Sequence, residues 1–234
     1  MKSITKYALK QALPITCSYL FVSFAYGIMM QEAGLNAGWS LLTSLSVYTG
    51  AFQFVLVALL SSGASFLTIA ITALFMNSRQ VFYGLSFTKD FPHMGKKYWY
   101  MVHTLTDETY AVNCALEQKK ETEELLQDDE NRRNIMFLVA IFSRISWMIG
   151  AVLGGILGQL IPFELEGIDF CMTALFVVIF IDQWKACKDH VPALLGIGIG
   201  ILLLLCLGQD VFMLPTLILV SGILIVLKEG KERE

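Results

Sequence analysis

Long stretches without a formal charge dominate the pattern of polar and apolar residues in this chain. Residues 33–78 contain no Asp, Glu, Lys or Arg, and residues 11–31, 145–163, 191–209 and 211–227 are also free of them. A helix that crosses the hydrocarbon core of a bilayer needs about 20 mostly apolar residues. Several such lengths are present, so the pattern predicts an all-α polytopic membrane protein.

The apolar stretches predict about six to eight transmembrane segments within a single transporter domain over residues 1–234. Charged residues make up only 16% of the chain and hydrophobic residues 56%, whereas a soluble domain carries roughly 25% charged residues. The predicted segments and apolar blocks are residues 12–30, 41–60, 63–87, 135–161, 168–184, 191–207 and 211–227.

The apolar block at residues 41–60 differs from the others because polar residues interrupt it. Gly50 lies near its middle, with Thr49 and Gln53 close by. Irregular backbone at membrane depth is tolerated only where it is buried in protein or lines a cavity. We therefore predict a broken or re-entrant helix here, which leaves two full crossings before residue 117. The alternative is four crossings, with residues 101–116 as a poor span.

The positions of lysine and arginine predict the orientation of the chain. Cytoplasmic flanks of membrane segments are rich in these residues. Lys2, Lys6 and Lys10 precede the first span, and residues 117–133 contain 11 charged residues out of 17. The chain is therefore predicted to lie in the cytoplasmic (inner) membrane with both termini and a charged loop at about 117–133 in the cytoplasm. That loop fits either a solvated helix or a mobile segment.

Glycines recur at intervals of four in the span that follows the charged loop. Gly150, Gly154 and Gly158 share one face of a helix, with Gly155 beside them. Small residues at this spacing let two helices approach closely in a membrane. The row predicts a packing surface.

The chain has no pattern typical of an enzyme, a metal site or a nucleic-acid-binding module. The five cysteines are scattered and show no metal-ligand spacing. No zinc-protease, nucleophile-elbow or phosphate-loop motif is present, and no basic stripe suggests nucleic acid. We expect no enzymatic activity and no cofactor, and we expect membrane lipid as a contact.

Polar residues within the apolar block at 41–60 are candidates for a substrate site. Tyr48, Gly50 and Gln53 lie in the sequence YTGAFQF. A helix interrupted there would present unpaired N–H groups that suit a carboxylate. The alternative is that Gln53 and Thr49 form hydrogen bonds between helices.

Asn77 and Arg79 end the third apolar block and form a second candidate. The guanidinium of Arg79 is a permanent cation whose fork of donors matches a carboxylate. The alternative is that Arg79 extends to the lipid headgroups while its stem stays in apolar surroundings.

Three acids complete the set of candidates. Asp107 and Glu108 are adjacent in a semi-polar segment, where they would pair with Arg79 or Arg144, carry a coupling proton, or form the solvated face of an interfacial helix. Asp169 opens a later span, where a role in capping the helix is the alternative to a role in the site. A charged group within a span costs about 2.5–3.5 kcal/mol on insertion scales, so each needs a local reason to be there.

Taken together, these motifs resemble the AzlC family, the large subunit of branched-chain amino acid exporters. The resemblance covers nearly the whole chain and rests on ordered motifs: ALP at 12–14, FAYG at 24–27, YTGAFQF at 48–54, NSR at 77–79, TDETYA at 106–111 and GIDF at 167–170.

The resemblance implies a function that the residue pattern alone does not supply. It implies export of leucine, isoleucine, valine and azaleucine, with an ion gradient, expected to be of protons, as the energy source. It also implies a small hydrophobic partner subunit of the AzlD type. Substrate or coupling roles carry over to Gln53, Asn77, Arg79, Asp107, Glu108 and Asp169. The alternative is a non-transporting membrane scaffold or sensor whose charged loop docks a partner.

Overall fold

In the computed structural model, the described part of the chain consists of helices and the segments that connect them. That part is residues 2–160, 177, 180, 181, 184, 185, 190–208, 212, 215, 216 and 218–224, and it contains no β-strand. The predicted all-α class is confirmed. The chain divides into two compact units, Met1–Ala64 with Met76–Phe163, and Ser65–Phe75 with Glu164–Glu234.

Two of the described helices are long and apolar enough to cross a membrane unaided. They correspond to Ser3–Glu32 and Asp129–Leu160. The predicted count of six to eight crossings stays a prediction. The helices are α1 (Lys2–Glu32), α2 (Ala37–Ser46), α3 (Gly50–Ser61), α4 (Phe66–Ser86), α5 (Tyr98–His103), α6 (Asp107–Gln118), α7 (Glu124–Gln127), α8 (Asp129–Leu160) and α9 (Val191–Leu207), with a 3₁₀ helix at Phe91–Lys97 before α5.

Helices α1 and α8 pack backbone against backbone through glycine. A methyl group added at Gly154 would overlap the carbonyl oxygen of Phe24, and one added at Gly27 would overlap the carbonyl oxygen of Ala151. At Gly150 the added carbon would overlap the hydroxyl of Ser23 on α1. The packing role predicted for the glycine row of α8 is therefore confirmed, and α1 contributes a glycine of its own.

Helix α1 has one buried face and one face of exposed apolar side chains. Tyr19 and Tyr26 are buried, whereas Phe21 is 79% exposed and Leu13 is 54% exposed. Large continuous patches of exposed apolar side chains are rare on soluble monomers and mark contact with lipid or protein. This distribution agrees with a helix that faces a bilayer.

Two interruptions between helices in the first unit fall within segments that the sequence pattern presents as single stretches, residues 41–60 and 101–116. Helix α2 ends at Ser46 and α3 begins at Gly50, with Thr49 extended at φ −141° and ψ 103°. This is the interruption predicted within residues 41–60. Helix α5 ends at His103 and α6 begins at Asp107, so residues 101–116 do not form one continuous helix.

Local hydrogen bonds explain the second interruption. The Thr106 hydroxyl accepts from the backbone N–H of Thr109, and the Thr109 hydroxyl accepts from the backbone N–H of Thr106. This reciprocal pair satisfies two N–H groups that a helix start leaves unpaired. The sequence TDET therefore starts a new helix instead of continuing α5.

The charged segment at 117–133 is ordered around a buried arginine. Arg132 is 4% exposed and pairs with Asp90 at 3.3 Å, Glu117 at 2.8 Å and Asp129 at 2.7 Å. It also donates to the carbonyl oxygen of Leu126 at 3.3 Å. Arg132 thus joins the start of the 3₁₀ helix, the end of α6 and the start of α8. Neither a solvated helix nor a mobile segment, the two alternatives predicted for residues 117–133, describes this arrangement.

Candidate functional site

Tyr19 on α1 holds the start of α6. Its hydroxyl donates to Glu108 Oε2 at 2.6 Å and lies 2.7 Å from Thr106 Oγ1. Because the single proton of Tyr19 is used by Glu108, Thr106 is the donor of the second bond. The Tyr19 ring meets the ring of Trp147 edge-on, with centroids 5.1 Å apart.

Trp147 on α8 packs against the first residue of α3, Gly50. A carbon added at Gly50 would lie 2.9 Å from Cη2 of Trp147, so only glycine lets the indole reach this position without displacement. Because Tyr19 contacts Trp147, the first turns of α3 and α6 are held against one pair of aromatic side chains. The two interruptions in the helical path therefore meet in one place.

Gln53 is fully buried at this interruption and is bonded at both ends of its amide. Its nitrogen donates to the carbonyl oxygens of Thr43, at 3.2 Å, and Val47, at 2.5 Å. Its oxygen accepts from Trp147 Nε1 at 2.8 Å. Both N–H groups are used within the protein, so the geometry favours the interhelical alternative for Gln53 over direct contact with a substrate.

Two polar atoms beside Gln53 have no partner among the described residues. The Tyr48 hydroxyl and Thr49 Oγ1 are buried and make no hydrogen bond within that part of the chain. Thr49 precedes the first residue of α3, and its side chain does not cap that helix. Buried polar groups are nearly always hydrogen-bonded in native proteins, so these two atoms stand out as groups that a ligand would satisfy.

Arg144 approaches the other side of the interruption from α8. Its Nη2 donates to the carbonyl oxygen of Leu45 at 2.6 Å, and its guanidinium lies over the rings of Tyr48 and Tyr100, at 5.5 and 5.4 Å from their centroids. His103 Nε2 donates to the same Leu45 oxygen at 3.3 Å, which requires the proton on Nε2. Leu45 is in the last turn of α2, where the helix dipole favours a cation.

The family model for the AzlC protein matches residues 14–161, which include both interruptions and the contacts of Tyr19, Gln53, Arg144 and Trp147. The chain belongs to the AzlC family. The predicted family is confirmed.

Relatives from several bacteria align over most of this AzlC-family chain. A Haemophilus influenzae membrane protein is 35% identical over 88% of this chain and 82% of its own length. The Bacillus subtilis branched-chain amino acid transport protein AzlC is 32% identical over 97% and 86%. The Escherichia coli inner membrane protein YgaZ is 32% identical over 75% and 71%. No solved structure matches.

The structure brings some of the predicted site residues of this AzlC-family chain together. Tyr48, Gly50 and Gln53 lie at the first interruption, and Glu108 joins them through Tyr19. Asp107 shares the first turn of α6 with Glu108 and is half-buried. These residues come from separate motifs, so their meeting is a property of the fold.

Three predicted site residues are not part of this group of described contacts. Asn77 is half-buried within α4 and is not among the hydrogen-bond partners of Gln53 or Arg144. The structure describes Arg79 only as a helical residue of α4. Asp169 lies outside the described residues. No group of three or more potential metal-ligating side chains occurs in the described part of the chain.

The sequence-based prediction left out four residues that the structure places in or near this region. Tyr19 and Trp147 were indistinguishable from other aromatic residues of apolar spans. Arg144 carried a signal, a cation within a span, but was considered only as a partner for acids. Asn113 on α6 is 1% exposed, and neither polar atom of its side chain has a hydrogen-bond partner in the described residues. A buried amide without partners is recognisable only in the folded chain.

Proposed function

We propose that this chain is a secondary transporter that exports branched-chain or similar small amino acids across the cytoplasmic membrane and is driven by the proton gradient. The observation that carries the proposal is the meeting of the two helix interruptions at Tyr19 and Trp147. The similarity to the Bacillus subtilis branched-chain amino acid transport protein supplies the substrate class.

Interrupted helices support transport for a physical reason. Residues between two short helices leave backbone groups unpaired, which is costly in a bilayer unless protein or a wet cavity surrounds them. Transporters use such interruptions near the middle of the membrane, where helix starts meet anionic groups of the substrate. The unpaired Tyr48 hydroxyl and Thr49 Oγ1 at the start of α3 fit this use.

The polarity of the proposed site matches a zwitterion with an aliphatic side chain. Glu108 or Asp107, in the first turn of α6, would hold the ammonium group. Backbone N–H groups near Gly50, or Arg79, would hold the carboxylate. The buried ring of Phe52 at the start of α3 would border the aliphatic side chain.

The other predicted residues have separate places in the proposal. Gln53 is hydrogen-bonded to both α2 and α8 and would maintain the conformation of the segment between α2 and α3. Its effect on substrate binding would be indirect. Asn77 and Asp169 remain proposed contributors to substrate binding or coupling. The proposed partner is a small hydrophobic subunit of the AzlD type.

Export is tested in cells that produce this chain with its small partner subunit. Cells loaded with a leucine-containing dipeptide should release leucine faster than cells with an empty vector, and they should resist azaleucine. In membrane vesicles, a protonophore should abolish leucine movement driven by a pH gradient. Unchanged intracellular leucine in cells with verified amounts of both subunits would contradict transport and favour a scaffold or sensor.

A further inference from the structure

Arg144 lies deep within the span formed by α8. It is the sixteenth residue of a helix that runs from Asp129 to Leu160, which places it about 22 Å from the first residue at 1.5 Å per residue. Ionisable residues at such depth are costly, and they mark substrate or ion sites more often than structural positions. Arg144 therefore needs a counter-charge.

Arg144 forms no ion pair with another residue in the described part of the chain. Its contacts are the carbonyl oxygen of Leu45, the rings of Tyr48 and Tyr100 and the hydroxyl of Tyr100, and its buried Nε has no hydrogen-bond partner among the described residues. One N–H of the guanidinium is thus available for an incoming acceptor.

Arg132 on the same helix shows the contrast. It lies near the start of α8 and pairs with three carboxylates. The fold therefore pairs one arginine of α8 with three acids and gives the deeper one no ion pair among the described residues. A reversibly bound anion at Arg144 would account for the difference between the two arginines.

Tyr48 adds a second unpaired donor at the same place. Its ring lies beneath the Arg144 guanidinium, and its buried hydroxyl forms no hydrogen bond with the part of the chain that the structure describes. Tyr48 also lies close enough to Glu108 to interact with it electrostatically. Tyr48 therefore lies near both a cation and an anion, and a zwitterionic amino acid carries the two complementary charges.

We propose that Arg144, with the Tyr48 hydroxyl, binds the carboxylate of the amino acid substrate, while Glu108 receives its ammonium group. The proposal rests on the proposed function and replaces Arg79 as the carboxylate partner. The bond from Nη2 to Leu45 fixes the guanidinium at the end of α2, so Nε is held in place for a carboxylate oxygen. Charge-assisted bonds of this kind are among the stronger ones in proteins.

Arginine labelling tests this assignment without a transport assay. The purified chain with its small partner is treated with phenylglyoxal, and modification of Arg144 is measured by peptide mass mapping. We expect L-leucine and isovalerate, which carry a carboxylate, to slow the modification of Arg144 by at least about tenfold at saturation. Leucinamide, which keeps the ammonium but lacks the carboxylate, should not. Arg133, at the start of the same helix, serves as the control and should react equally in all samples.

The outcomes separate this assignment from the proposed function. Protection by leucinamide equal to that by leucine would overturn carboxylate binding. Absence of protection by both carboxylates would overturn the assignment, and leucine export by the same preparation would then show that the function stands without it. Protection without leucine export would support the carboxylate site and contradict the transporter.

Substitutions give a second measurement in the export assay. Arg144→Gln should lower the rate of leucine export at low substrate concentration by at least about tenfold, because one charge-assisted hydrogen bond is lost. Arg144→Lys should retain part of the rate, and Arg133→Gln should retain nearly all of it. Arg144→Gln with wild-type export and normal expression would overturn the assignment.

Discussion

The indole nitrogen of Trp147 donates a 2.8 Å hydrogen bond to the side-chain oxygen of Gln53, a residue 94 positions earlier in the chain. The nitrogen of the same amide donates to two carbonyl oxygens around the end of α2. A single side chain therefore connects α8 to the interruption between α2 and α3. The shape of that interruption depends on the position of α8.

Removal of the Gln53 amide should destabilise the protein more than removal of the Trp147 N–H. Gln53→Leu leaves the buried Trp147 N–H without an acceptor, which costs about 1–3 kcal/mol. It also removes one hydrogen bond from each of two carbonyl oxygens that keep a backbone N–H donor. Trp147→Phe removes one bond, together with part of the ring. The midpoint of thermal unfolding in detergent measures both.

A third substitution controls for the change of ring. Trp99 is 76% exposed, so Trp99→Phe should leave the unfolding midpoint nearly unchanged. The double variant Gln53→Leu with Trp147→Phe should be less destabilised than the sum of the two single variants, because the two side chains share one bond. Additive effects would contradict the hydrogen bond.

The glycine contact between α1 and α8 predicts opposite effects for two identical substitutions. Gly154→Ala places a methyl group onto the backbone of Phe24 and should destabilise the protein by about 1–3 kcal/mol or more. Gly196→Ala in α9 meets no atom within 4 Å and should be neutral or stabilising by up to about 1 kcal/mol. Unfolding in detergent checks the pair, and equal effects would refute the close contact.

Replacement of Arg132, near the start of α8, should destabilise the ordered structure of residues 117–133. Arg132→Gln leaves Asp90, Glu117 and Asp129 without their shared cation, so the repulsion between these neighbouring carboxylates is no longer offset. We expect a lower unfolding midpoint and faster proteolysis within residues 117–133. Arg133→Gln is the matched control, and a similar response from both would argue against the cluster.

The start of α3 should tolerate glycine only. Gly50→Ala brings a carbon within 2.9 Å of the Trp147 ring, so the indole must move away from Tyr19 and Gln53. We expect leucine export to fall at least about tenfold, since small displacements near a binding site can have effects of this size. Gly84→Ala in α4, with nothing within 4 Å, should export at the normal rate; a loss there as well would point to a general effect on folding.

Much of the fold was predictable because the patterns are local. Uncharged stretches predicted helices, and Gly50 with its polar neighbours predicted the interruption that separates α2 from α3. The interruption at Thr106 was not predicted, although the threonine followed by two acids is a strong helix start. The semi-polar composition of residues 101–116 concealed it.

The site itself was only partly predictable, because its contacts are distant in sequence. Gln53 and Glu108 were chosen as polar residues in or near apolar stretches, but nothing in the sequence pairs Gln53 with Trp147 or Glu108 with Tyr19. Arg132 was counted within a hydrophilic run, and such runs are usually solvated. Its burial depends on three carboxylates that only the folded chain collects.

Direct backbone contact between α1 and α8 has a consequence for motion. Side chains that interlock can change rotamer and let helices slide, but carbonyl groups that touch glycine leave nothing to rearrange. Spin labels at the exposed positions Phe21 and Ile149 should therefore keep a constant separation when leucine is added. Helices α1 and α8 would then move as one rigid body. The hinges of a transport cycle would have to lie in the short connecting segments around Tyr48 and Leu105.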